Sequence, residues 1–146
     1  ELMEKVSGGG YDKNPSDRAD AQPLPEERIL FLRMDDAVNQ GKLYTQSDLS
    51  REVLSGLMGA DRNRFARIIR EQGGVKNMSE YLNNKRMRYA EELMLEHPNW
   101  TLEAIAVDCG IGSISTFNRV FKDYYGVSPS EFRKSLRLSD KVGGVS

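Results

Sequence analysis

Cysteine and histidine each occur once, as Cys109 and His97, in 146 residues. A single cysteine excludes an internal disulfide and any zinc site built on several thiolates. It falls on the apolar side of a helical pattern and reads as an ordinary core cysteine. The one histidine lies in a His97-Pro98 loop, so there is no Ser-His-Asp set and no metal-ligand spacing, and a solvated side chain is the simple reading. No run of about 18 apolar residues is present to cross a membrane, and no secretory leader is visible. The Gly8-Gly9-Gly10 run has no Lys-Ser/Thr partner after it and is not a phosphate loop. Catalysis needs buried, convergent polar groups, whereas the polar residues here fall on outward helix faces. Neither an enzyme nor a bound cofactor or metal is expected. The chain begins at Glu1 rather than methionine, which leads us to expect a piece of a longer protein in a reducing cytoplasm.

Net charge is nearly absent too, with 21 Lys+Arg against 22 Asp+Glu. The balance conceals an asymmetry. Residues 1–41 hold 5 basic and 9 acidic side chains, residues 42–138 hold 15 and 12, and Asp140 and Lys141 cancel. A mildly basic body behind an acidic leader is compatible with a nucleic-acid partner, though a weak signal alone. Residues 1–25 combine a glycine run with a stretch rich in Asp, Asn, Ser and Pro, and are expected to form a flexible acidic linker.

What the chain does have is helical periodicity with clear punctuation. From Glu26 to Asn39, residues Ile29, Leu30, Phe31, Leu32, Met34, Ala37 and Val38 predict a helix with a broad apolar face, explained more simply as core than as a pairing surface. Ser50 caps a short helix with Val53, Leu54 and Leu57 inward, and Met58-Gly59-Ala60 supplies a turn. Asp61 caps the next helix, where Phe65, Ile68 and Ile69 face inward and Arg62, Asn63, Ala66, Arg67 and Arg70 outward. Asn77-Met78-Ser79-Glu80 opens a long helix to about Leu95, with Tyr81, Leu82, Met87, Ala90, Leu93 and Met94 inward. Thr101 caps a helix carrying Leu102, Ile105, Ala106 and Cys109, ended by Gly110. Ser113 caps another with Phe117, Val120, Phe121 and Tyr124 inward, closed by Gly126, and Ser128-Pro129-Ser130-Glu131 opens a last one.

Two short helices joined at a glycine, the second polar and basic outside, form the sequence pattern of a helix-turn-helix. The pattern occurs twice. Phe65-Ala66-Arg67-Ile68-Ile69-Arg70 with Gly74-Val75 lines up with Phe117-Asn118-Arg119-Val120-Phe121-Lys122 with Gly126-Val127. An internal repeat of one reading unit is more specific than either copy alone. The expected fold is all-α: two homeodomain-like helix-turn-helix subdomains, about 50–71 and 102–125, joined by a linker helix about 78–95. They lie within a domain spanning 26–138, followed by a tail over 139–146.

If both units read DNA, the exposed N-terminal halves of their second helices enter successive major grooves. Arg62, Asn63 and Arg67 are then base-edge candidates in the first, since arginine can present two donors to guanine and asparagine can pair with adenine. Ile114, Ser115 and Asn118 occupy the same face of the second, Ile114 suited to a thymine methyl. Arg119 and Lys122, with the helix start at Ser113, suit phosphates, and Arg64, Arg70 and Arg86 are weaker phosphate candidates. A solvated basic face is the plain alternative at each position. Phe65, Phe117, Phe121, Tyr124 and Phe132 are expected in the core rather than as stacking platforms, and Trp100 over the start of the Thr101 helix.

Gly110, Phe117, Arg119, Phe121-Lys122, Gly126, Ser128-Pro129, Phe132 and Arg133 together resemble the signature of AraC/XylS-type transcriptional regulators. Tyr81, Asn83, Arg86, Ala90 and Leu93 resemble that family's linker helix, and the resemblance reaches back to about Leu43. Ile111 departs from it, standing where the family usually has an aromatic, and looser packing is expected there. The resemblance implies a sequence-specific, double-stranded-DNA-binding output domain, with RNA polymerase as a partner and a signal-sensing domain upstream in the parent chain. A bacterial cytoplasmic location is expected, with no membrane contact by this piece. The acidic leader and missing methionine fit an output domain tethered to a larger, membrane-anchored or hybrid signalling protein. The rival reading is a helical protein-interaction module using the same face.

Overall fold

The computed structural model describes residues 24–145, so the linker expected over residues 1–25 lies almost wholly outside the described residues. Among the described residues seven α-helices follow one another: α1 Glu26–Gln40, α2 Arg51–Met58, α3 Arg62–Gly73, α4 Met78–Glu96, α5 Leu102–Asp108, α6 Ile114–Tyr125 and α7 Pro129–Val145. A single 3-10 turn, Leu43–Thr45, lies between α1 and α2, and no strand occurs among the described residues. The helix starts are where local chemistry puts them. Ser50, Asp61, Asn77, Thr101 and Ser113 each accept the amide of the residue three positions on, a cap contributing about 1 kcal/mol apiece. Ser128 and Glu131 form a reciprocal box, each side chain accepting the other's backbone N–H at 3.2 Å. The tail expected from residue 139 is instead a continuation of α7, whose Leu136-to-Val142 stretch contains no proline or glycine to stop it.

Two cores form, one per repeat. The first collects Leu30, Phe31, Met34 and Val38 of α1, Leu54 and Met58 of α2, Phe65, Ile68 and Ile69 of α3, and Tyr81 and Leu82 from the start of α4. The second collects Met87, Ala90, Leu93 and Met94 from the rest of α4, with Ile105, Ala106, Cys109, Phe117, Val120 and Phe121. Phe65 and Phe117 hold equivalent central places, each contributing about 3 kcal/mol by burial. Several inward assignments need correction. Met58 is fully buried rather than part of a turn, while Val53 points outward. Ile29 and Leu32 are exposed, so α1 buries a narrower face than its composition suggests. Tyr124 is also exposed. Its neighbour Tyr125 packs on Phe121 and Phe132 and donates its hydroxyl to Met87 O and Glu91. Trp100 lies flat against His97, with ring centroids 4.0 Å apart.

Besides sharing α4, the halves meet at one short stretch of backbone. Arg86 is buried in α4, donating from Nε to Tyr44 O at 2.6 Å, from Nη2 to Gln46 O at 2.9 Å and from Nη1 to Asn83 at 3.3 Å. Gly110 approaches the same stretch from the second half. Its φ is +99°, and a Cβ there would stand 2.5 Å from Tyr44 O and 2.8 Å from Thr45 Cα. No other residue fits, because any side chain would overlap backbone that cannot rotate away. Tyr44 also sets its ring edge-on to Tyr89 of α4.

Candidate nucleic-acid interface

The caps fix which face of each reading helix looks outward. With Asp61 holding the start of α3 and Phe65, Ile68 and Ile69 drawn inside, Arg62, Asn63, Arg67 and Arg70 are left exposed. With Ser113 holding α6 and Phe117, Val120 and Phe121 drawn inside, Ser115, Asn118, Arg119 and Lys122 are left exposed in the same way. Ile114 is only half available, being packed partly against the second core. The Ser113 hydroxyl accepts the Thr116 amide at 3.3 Å and lies 3.2 Å from the Ser115 hydroxyl, so its role is to present the helix start.

Two of the phosphate candidates are reassigned. Arg86 is inside, with its guanidinium turned to the carbonyls of residues 44 and 46 rather than to solvent. Burial lowers its pKa from the ordinary arginine value, and its role is to tie the two halves together. Arg64 is half-buried and bound to α1, with Nε 3.4 Å from Glu27 and Nη2 3.2 Å from Glu26.

Arg67 is exposed as expected but not unattended. Its Nη2 is ion-paired to the same Glu27 oxygen that takes Arg64, and its Nε lies 3.9 Å from Glu71. The hydrogen bond from Arg67, ahead of the contribution from Arg64, holds the Glu27 carboxyl below the usual glutamate range. Neither glutamate is marked by local periodicity. Their only sequence signal is two acidic residues in the first turn of α1, which a helix start favours anyway.

Beside α6 the arrangement is open. A polar cleft of about 300 Å³ separates the start of α4, at Asn77, Glu80 and Asn84, from Arg119, Asp123 and Tyr124. Arg88 donates to the Tyr124 hydroxyl at 3.5 Å along this side. Among the described residues, the ion pairs include neither Arg119 nor Lys122. Each unit thus presents a helix with a polar, cationic outer face, and α6, capped by a neutral serine, adds a start open to an anion, the elements of a major-groove reader.

Residues 54–135, more than half of the chain, match the family model of a helix-turn-helix domain. The chain belongs to the AraC-type helix-turn-helix family. This AraC-type domain is 33% identical over 121 residues to an HTH-type transcriptional regulator of Haemophilus influenzae, covering 80% of this chain and 40% of that protein. It is 37% identical over 70 residues to the HTH-type transcriptional regulator GadX of Escherichia coli, covering 47% of this chain and 25% of that one. The chain therefore spans well under half the length of these curated relatives. Among solved structures it resembles the C-terminal domain of AraT, a response regulator from Geobacillus stearothermophilus. The TM-score is 0.62 at 25% identity, over 79% of this chain and 88% of that one. The DNA-binding domain of AdpA has the same fold, with a TM-score of 0.64 at 22% identity over 73% of this chain and 95% of that one. The AraC-type domain is a DNA-binding unit of the transcriptional-regulator class, and these likenesses do not favour the protein-interaction reading. No helix among the described residues is long and apolar enough to cross a membrane.

Proposed function

We propose that this domain binds one face of a duplex with α3 and α6 in successive major grooves, as the output part of a longer signal-responsive regulator. The observation that carries the reading is the repetition of one frame: cap, buried phenylalanine, exposed polar half and closing glycine, at Asp61 to Gly74 and again at Ser113 to Gly126. In this reading Arg62, Asn63 and Arg67 meet bases in one groove, and Ser115, Asn118 and the free part of Ile114 meet them in the other. Arg70, Arg119 and Lys122 meet phosphates, with the start of α6 adding its helix dipole. The 19 residues of α4 make a rod of about 28 Å, on the scale of the roughly 34 Å between half-sites one turn apart. RNA polymerase and an upstream sensor domain, in a soluble or membrane-anchored parent in the bacterial cytoplasm, complete the proposal; the relatives' designation as transcriptional regulators supports its regulatory part.

The test is selection of binding sites from random duplex DNA, then titration of the winner at several salt concentrations. The expected result is a bipartite motif with half-sites about 10 base pairs apart and affinity falling steeply with salt. Asn118→Ala should relax one half-site and Arg67→Ala the other. A motif with a single half-site would remove one helix from the reading. Absence of any enriched sequence would remove the reading itself.

A further inference from the structure

Two copies of one unit in a single chain make each a control for the other. Moving the first copy forward by 52 residues, the interval from Phe65 to Phe117, superposes the repeats in register. The first residue of α1, Glu26, falls on the first residue of α4, Met78, and Gly74 falls on Gly126. Arg67 falls on Arg119, Arg64 on Thr116 and Glu27 on Ser79. Where the first copy has a carboxylate gripping its outward arginine, the second has a serine at the matching place.

The charges compensate accordingly. Helix α3 carries four arginines and Glu71, net three positive, while α6 carries Arg119, Lys122 and Asp123, net one positive. Counting Glu26 and Glu27 with the helix they touch brings the first also to one positive. Guanidinium groups engaged by carboxylates are less available to phosphates or guanine, and the carboxylates themselves repel a polyanion.

We propose that Glu27 is an affinity- and specificity-setting residue of this domain. It neutralises Arg67 in the free protein, so that α6 anchors the complex and α3 engages only a half-site good enough to draw Arg67 away. Glu26, more exposed and bound only to Arg64, has a smaller share in this effect. The inference rests on the two-groove reading above.

The experiment uses the whole chain and the selected duplex, titrated at several salt concentrations. Glu27→Gln should tighten binding roughly three- to tenfold and steepen the salt slope by up to about 1. It should also make the protein more tolerant of a scrambled first half-site, because a released Arg67 accepts any phosphate. Most of the gain should be lost in the Glu27→Gln/Arg67→Ala double variant, leaving only what release of Arg64 and removal of the carboxylate's own repulsion supply. Ser79→Glu supplies the reverse test at an exposed position where a helix start favours acid. It should weaken binding roughly three- to tenfold by adding, at the position equivalent to Glu27, a second carboxylate next to Glu80 on the side of the cleft that faces Arg119. If Glu27→Gln shifts the melting temperature, Ser79→Glu still decides the matter. Unchanged or weaker binding by Glu27→Gln, a gain undiminished by loss of Arg67, or Ser79→Glu binding as well as the parent would overturn the proposal. Failure of the underlying reading looks different: the parent would select no sequence, and Arg119→Ala would bind like the parent.

Discussion

In the first repeat the N-terminal turn of α1 closes onto the reading helix through Glu26 and Glu27, whereas in the second the first turns of α4 stand off α6 across an open polar cleft. The frame beneath is the same in both, with an oxygen-bearing cap at Asp61 or Ser113, a fully buried phenylalanine at position 65 or 117 and a closing glycine at 74 or 126. The frame is constrained because it makes the helices and their core; the outward charges are not, and there the copies have diverged. A stretch that looks more basic in sequence, with four arginines in α3, is therefore no more positive than α6 once Glu26 and Glu27 are in place.

The comparison is broken most severely by separating the halves. Gly110→Val should cost about 3 kcal/mol or more in urea unfolding, because it forces a branched side chain into a left-handed backbone and against Tyr44 and Thr45. Wild-type stability in that variant would show that the two units are not wedged together there. Arg86→Leu should cost about 2–3 kcal/mol by stranding the carbonyls of Tyr44 and Gln46. It should leave the salt slope of DNA binding unchanged, and a slope reduced by about 0.9 would restore Arg86 as a phosphate contact.

The comparison is sharpened by matched truncations on the two reading helices. Arg119→Ala should weaken DNA binding roughly tenfold, and Arg67→Ala roughly threefold, measured by fluorescence anisotropy at one salt concentration. Equal losses would mean that Glu27 does not discount Arg67. Acid gives a further contrast. Glu27 is held below the ordinary glutamate value of 4.5, so its contribution is present above that value and disappears as pH falls through the lower folded one. Asp35 behaves alike: burial pushes its carboxyl up, but hydrogen bonds from Lys85 and Tyr81 more than offset this. Both side chains belong to α1, so the first half should loosen before the second below about pH 4.5, which amide exchange resolved by residue would detect. The smallest effect belongs to Cys109, whose thiol burial pushes up to about 11. A disulfide reagent at pH 8 should label it only at the rate of unfolding, and rapid labelling would mean that the second core opens freely.

The capped helix starts were legible in sequence because a cap is a local event, decided within four residues. The outward faces of α3 and α6 were legible for the same reason, since the apolar spacing that buries Phe65 or Phe117 determines what remains outside. Arg86 was not legible. Its spacing on α4 says only that it is near a boundary, and the carbonyls that claim it come from a turn about 40 residues earlier. The grip of Glu27 on Arg67 spans a similar distance. Tyr124 and Tyr125 differ by one step of helix rotation, about 100°, and only the presence of Phe132 and Glu91 shows which one is enclosed. Exposure of Ile29 and Leu32 likewise depends on how many helices α1 has to lean on, a property of the assembled fold.

The knot of Arg86, the Tyr44–Gln46 backbone and Gly110 has a geometric consequence. A caliper whose jaws are locked measures one distance. With the halves wedged at a site where neither a side chain nor a carbonyl has room to give, the phase between the reading helices is set by the protein and not by its target. In the proposed two-groove reading, one extra base pair between half-sites rotates the second by about 34°, and such an operator would have to twist itself back into phase or go unread.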